Sequence, residues 1–165
     1  MKMHGSRKSH KTALEHILLG LLPYSRENFA LVFKPHIFFN ELEQISGYSR
    51  QTIQSTYYRA YRQGYVKKHS DGPALTREGE RLILPYQAQK LGRGARLVVM
   101  FDIPEPNAKS RQAFRRWLKK LGFTMIQQSI WVSDMDYRQA LIEMIVELTI
   151  SDYVELHESV KLYPH

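Results

Sequence analysis

Apolar residues recur at helical spacing along the first half of the chain and gather into short β-rich runs between amphipathic stretches in the second. In "TALEHILLGLLP", Leu14, Ile17, Leu18, Leu21 and Leu22 share one helical face, with Thr12 placed to cap the helix and Pro23 to stop it. Between Tyr24 and Ile37 the period is lost, and "NFALVF" fits a short strand or a helical turn equally well. In "NELEQISGYSRQTIQSTYYRAYRQGYVKKH" the pattern predicts a short helix capped by Asn40, with Glu43 in the capping-box position and Gly47 as the turn. Ser49 caps the next helix, whose Ile53, Tyr57, Ala60 and Tyr61 form a buried stripe and which Gly64 ends. "YVKKHSDGPALT" predicts a β-hairpin turning at Asp71 and Gly72, and Thr76 caps a helix through "REGERLIL" that returns Leu82 and Ile83 to the core.

The second half begins with "PYQAQKLGRGA", where Pro85, Gly92 and Gly94 mark a linker and put the domain boundary near residues 90–95. Residues 96–101 read as a strand. After Pro104 and Pro106, Asn107 caps a helix that buries Phe114, Trp117, Leu118 and Leu121 and stops at Gly122. "FTMIQQSIWVSD" is one long strand or two joined by a bend at Gln128 and Ser129. A helix in "YRQALIEMIVELTI" aligns Leu141, Met144, Ile145 and Leu148, and "DYVELHESVKLY" is the last strand.

The predicted class is α+β. A flexible basic arm over residues 1–11 precedes a winged helix-turn-helix over 12–90, and a ferredoxin-like α/β sandwich follows over 95–165. In the sandwich, Val98, Met100, Met125 and Trp131 left bare on the outer sheet face would make too large an apolar patch, which predicts a twofold homodimer through that sheet.

Charge sharpens the reading of the first half. The chain carries net +8; the stretch to Gly92 holds 14 Lys and Arg against 7 Asp and Glu, and the remainder 10 against 9. A basic N-terminal half predicts a polyanionic partner, and double-stranded DNA suits the helix-turn-helix pattern. Membrane association is not expected, because there is no basic amphipathic helix with a bare apolar face and no apolar run of spanning length. The start lacks a signal-like apolar core, which predicts a cytoplasmic protein. With no cysteine, disulfides, thiolate chemistry and cysteine-zinc sites are excluded, and the 7 histidines contain no His-x-His or His-x-x-x-His pair and read as scattered surface residues.

The candidate DNA-binding residues are Ser49, Arg50, Gln51, Gln54, Ser55, Tyr58 and Arg62 on the second helix, with Lys67, Lys68 and His69 on the wing. Arg pairs bidentately with guanine and Gln with adenine, while Ser and Tyr suit phosphate oxygens. The one candidate for catalysis or metal binding is Asp102, where the strand "RLVVMF" stops. Phosphodiester hydrolysis needs a held metal and an activated water, normally with two or more carboxylates. One chain offers Glu105 nearby, and Asp134 and Asp136 lie at the far end of the second strand region. The alternative is structural: Asp102 caps the following turn or pairs with Arg111, Arg115 or Arg116.

Two resemblances follow from these residues. "VVMFDIPE", "RQAFRRWLKKLGF" and "SIWV" resemble the middle domain of the PaaX-type repressors of phenylacetate degradation, through Phe101 to Glu105, Arg111 to Leu121, Gly122, Phe123, Ser129 and Trp131. "GYSRQTIQSTYYRAYRQGYVKK" and "ALTREGERL" resemble that family's winged domain. That middle domain is in turn similar to the second CRISPR-associated protein, Cas two, an adaptation nuclease and scaffold in which an Asp matching Asp102 binds a divalent metal beside its dimer mate. Relative to the repressors, a chain without their C-terminal domain is expected, and Ala95 and Arg96 stand where an aromatic approach to the strand is expected. The resemblance implies a homodimeric transcriptional regulator, most simply a repressor, on a palindromic operator. A small-molecule effector is left open, and no cofactor is expected. The rival readings are a magnesium- or manganese-dependent nuclease using Asp102, and a non-catalytic DNA scaffold of the adaptation type.

Overall fold

The computed structural model describes residues 10–22, 34–70 and 72–160. The chain divides into two compact units, Met1–Leu84 and Pro85–His165.

In the first unit, α1 (Ala13–Gly20) begins at a complete capping box: Thr12 Oγ1 accepts from the Glu15 N–H, and the Glu15 carboxylate accepts from the Thr12 N–H at 2.7 Å. Helix α2 (Pro35–Ser46) starts earlier than the sequence pattern predicts. Proline at its first position supplies a fixed φ and needs no hydrogen-bond acceptor there, so the helix begins at Pro35 and Asn40 lies inside it rather than capping it. Gly47, at φ 72°, ends it. The "NFALVF" stretch and Pro23 lie outside the described residues, although Ile37 belongs to α2.

Helix α3 (Arg50–Arg62) is capped by Ser49, whose Oγ accepts from the Thr52 N–H. It ends in a Schellman motif: the Tyr65 N–H donates to the Ala60 carbonyl and the Gly64 N–H to that of Tyr61, with Gly64 at φ 76°. That turn leads into β1 (Val66–His69), which pairs antiparallel with β2 (Gly72–Leu75). His69 faces Gly72 across the pair, which makes Gly72 the first residue of β2. Asp71, the other half of the predicted Asp-Gly turn, lies outside the described residues.

Thr76 then caps α4 (Arg77–Gln87) by accepting from the Gly79 N–H, and its hydroxyl donates to the Gly64 carbonyl at 2.6 Å. This helix continues through Pro85, which the sequence pattern assigns to the linker. The core joins Ile17, Leu18, Phe38, Leu42, Ile53 and Ile83, all nearly inaccessible to solvent. Phe38, Phe39 and Tyr57 meet edge to face around it, with ring centroids 5.2–6.2 Å apart. His16 is half-buried and edge-on to Tyr48, not a surface residue as its isolated position suggests; burial, then the Lys11 charge, lowers its pKa.

The second unit is a ferredoxin-like sandwich. Its order is β3 (Ala95–Phe101), α5 (Ala108–Lys120), β4 (Thr124–Gln127), β5 (Ile130–Ser133), α6 (Arg138–Glu147) and β6 (Val154–Val160), with single 3-10 turns at Glu105–Asn107 and Ser151–Tyr153. The sheet runs β4-β5-β3-β6 with every neighbour antiparallel. "FTMIQQSIWVSD" is therefore a hairpin turning at Gln128 and Ser129. Asn107 stands at the start of α5 but makes no side-chain cap, since the 3-10 turn already leads the chain into the helix.

Alternation along β3 sends Ala95, Leu97, Val99 and Phe101 to the buried face, where Phe114, Trp117, Leu118, Leu141 and Ile145 are also buried. Trp131 lies opposite Val99 and is 2% exposed. It therefore belongs to the core and not to the outer sheet face, because register, not hydrophobicity, assigns the side. Met125 pairs with Trp131 on the edge strand and is solvent-exposed. The outer face is instead built from Val98, Met100, Ile130 and Val132, all half-buried, with Arg96, Glu155 and His157 around them.

The segment before β3 is fastened to this unit. The Leu91 N–H donates to the Asp134 carbonyl at 2.8 Å and the Asp136 N–H to that of Gln89 at 2.7 Å, while Lys90 pairs with the Asp134 carboxylate at 2.8 Å.

Candidate nucleic-acid interface

Helix α3 turns Ile53, Thr56 and Ala60 into the core. Helical spacing then places Gln51, Ser55, Tyr58 and Arg62 together on the opposite side, all of them accessible, with the Tyr58 ring 65% exposed. Gln54 is half-buried at one margin of this surface. At the other margin is Arg59, exposed and absent from the sequence-based candidates, with Nη2 3.4 Å from the Thr56 hydroxyl. Its spacing, four residues after Ser55 and three before Arg62, is the signal that identifies it.

Arg50 opens the helix and is held from two directions. Its Nη1 donates to Asn40 Oδ1 at 3.0 Å, and its backbone N–H donates to Glu43 Oε1 at 3.0 Å. Asn40 and Glu43, expected to cap their own helix, thus orient the first residue of the next one. Ser49 and Glu43 together engage amide groups at the start of α3, so the chemistry available to a ligand there lies in the side chains. Lys67, Lys68 and His69 are exposed on β1, and strand alternation sends Lys68 to the side opposite Lys67 and His69. His69 Nδ1 lies 3.2 Å from the Ser70 hydroxyl.

Asp102 follows the last residue of β3, exposed, its backbone N–H donating to the Tyr153 carbonyl at 3.0 Å. It lines an open depression with Asp152, Glu155, Ser129 and Met100. Two of the arginines considered as its partners are engaged elsewhere. Arg111 bonds the Ile103 carbonyl and, at 2.7 Å, the Glu105 carboxylate, and Arg115 bonds the Gln128 carbonyl at 3.0 Å with its guanidinium over the Phe101 ring. Glu105 is thereby committed to an ion pair. Asp134 and Asp136 are held by Lys90 and Arg138, whose hydrogen bonds draw both carboxyl pKa values down. Among the described residues no three His, Asp or Glu side chains are grouped to hold a metal ion.

Among the described residues no helix is long and apolar enough to cross a membrane. A search of curated proteins returned no match for the chain. Residues 94–165 match the family model for the PaaX protein central Cas2-like domain, a span that contains the four-stranded sandwich from Ala95 to Val160. Over residues 94–165 the chain is therefore similar to the PaaX-type central, Cas2-like domain.

Proposed function

We propose that the protein is a sequence-specific, double-stranded DNA-binding transcriptional regulator, acting as a homodimer on a palindromic operator and repressing by occupying the promoter. The observation that carries this reading is the division of α3 into two sides. One is locked into the core by Ile53, Thr56 and Ala60, and the other offers Gln51, Ser55, Tyr58 and Arg62 to solvent, beside a ribbon bearing Lys67, Lys68 and His69. Helix, turn, helix, basic ribbon and helix match the order of a winged helix-turn-helix, with α3 as the helix that enters the major groove and the ribbon following the backbone. Arg50, preset by Asn40, suits a bidentate contact to guanine. The PaaX-type domain supports a regulator, and its outer sheet face, apolar at the centre through Val98, Met100, Ile130 and Val132, suits a twofold contact.

Replacing Arg50 and Gln51 together with Ala tests the helix assignment. Removing a bidentate pair costs about 1–3 kcal/mol of discrimination, so the ratio of operator to scrambled-duplex affinity is expected to fall at least about tenfold while non-specific binding persists. A double variant that discriminates as well as the parent removes α3 as the reading helix.

A further inference from the structure

The near-neutral total of the second unit conceals a segregated charge. From residue 93 onward the chain has 10 Lys and Arg, and six of them are in α5: Lys109, Arg111, Arg115, Arg116, Lys119 and Lys120. That helix contains no acid, so the nine carboxylates elsewhere in this stretch outnumber the four remaining cations.

The six divide by role. Arg111 and Arg115 face the sandwich and are bonded to Glu105, the Ile103 carbonyl and the Gln128 carbonyl. Lys109, Arg116, Lys119 and Lys120 are exposed and have no partner among the described residues. At 100° per residue, Lys109, Arg116 and Lys120 fall within about 40° of one another, with Lys119 and Gln112 alongside, opposite the buried Phe114 and Leu118. From Lys109 to Lys120 this stripe runs about 16 Å.

A solvated helix face would place acids three or four residues from its cations, and here the reverse holds. Arg116 and Lys120 are like charges at i,i+4, Arg116 and Lys119 at i,i+3, and each such pair opposes the helix. The macrodipole accounts for Lys119 and Lys120 in the last turn but disfavours Lys109 in the first. The stripe has no apolar residue large enough to insert into a bilayer.

We propose that the outer face of α5 is a second, sequence-independent contact for the phosphate backbone of duplex DNA, using Lys109, Arg116, Lys119 and Lys120. This rests on the DNA-binding reading given above and extends it to a domain that the reading uses only for dimerisation. Duplex DNA carries a phosphate about every 3.4 Å of helix axis on each strand, so a stripe of about 16 Å laid along it spans enough of them for all four cations. Helix α5 covers the buried face of the sheet, which leaves the stripe on the side away from the outer face.

The test is the salt dependence of duplex binding by the full chain, read by fluorescence anisotropy. The parent is compared with a variant carrying Lys109→Gln, Arg116→Gln, Lys119→Gln and Lys120→Gln, and with one carrying Lys109→Arg, Lys119→Arg and Lys120→Arg. Removal of one phosphate contact flattens the slope of log K against log salt by about 0.9, so the neutral variant is expected to flatten it by about 2–4. Operator and scrambled duplex weaken together, their ratio holds within about twofold, and the arginine variant keeps the parent slope. A neutral variant with the parent's slope overturns the assignment of α5 and leaves the α3 reading intact. If that variant keeps its slope on duplex but no longer binds single-stranded RNA that the parent binds, the partner is RNA and the duplex assignment falls. A parent that binds no duplex at all removes the DNA reading itself, and this contact with it.

Discussion

Two backbone positions show how single residues set the frame of each unit. Gly79 lies where α4 passes under the turn after α3, and a Cβ built there would stand 2.2 Å from the Tyr65 carbonyl oxygen. That oxygen accepts from the Thr76 N–H, in the same junction where the Thr76 hydroxyl bonds Gly64. The obstacle is backbone and cannot rotate away, so Gly79→Ala is expected to destabilise the protein by about 1–3 kcal/mol in urea unfolding, as overpacking does. Wild-type stability in that variant would show that the junction yields. Thr149 presents the opposite case. It ends α6 in a Schellman motif at φ 55°, with the Ile150 N–H on the Ile145 carbonyl, a position that a β-branched residue occupies only under strain. Thr149→Gly relieves that strain but enlarges the unfolded ensemble, for a net gain of about 0.5–1 kcal/mol. A loss of stability would mean that the Thr side chain contributes more than its backbone costs.

At the scale of elements, the segment between the last core residue of α4 and β3 is a fastened strap. Lys90 holds the Asp134 carboxyl below its ordinary pKa while backbone bonds at Gln89 and Leu91 flank it. A carboxyl depressed by folding adds stability above its unfolded pKa, about 3.9, and loses that contribution as pH falls through the folded value. Asp134→Asn is therefore expected to be less stable than the parent near neutrality, with the gap closing below about pH 4, in paired urea titrations across pH. A gap that stays constant with pH would assign the effect to geometry rather than charge.

Elements were the most legible part of this chain. Thr12, Ser49 and Thr76 each cap the helix they signal, and Gly64 and Gly122 end theirs, because caps and left-handed positions act within a few residues. The reach of α4 past Pro85 and the side taken by Trp131 depend on packing or strand register, which local pattern does not encode, whereas the start of α2 follows from Pro35, a local signal outweighed in the sequence pattern by Asn40. At the candidate site, chemistry and spacing identified most of the exposed face of α3. The hold of Asn40 and Glu43 on Arg50 was not legible, since it joins residues from two helices.

At the scale of the whole molecule, averaging charge over long stretches located one basic region and concealed another. The stretch to Gly92 is basic as a sum, whereas in the remainder nine acids offset the cations of α5. The acids matter to the rival reading, because Asp102, Asp152 and Glu155 line one depression. A regulator and a nuclease thus predict opposite outcomes from one mixture. The most direct measurement incubates the full chain with a random-sequence duplex pool, with and without magnesium, separates retained DNA on a native gel, and sequences it. The account predicts intact fragments enriched in a palindrome, with the same enrichment in both conditions. Shortened products that require magnesium and vanish in Asp102→Ala, or retention without any sequence enrichment, would contradict it.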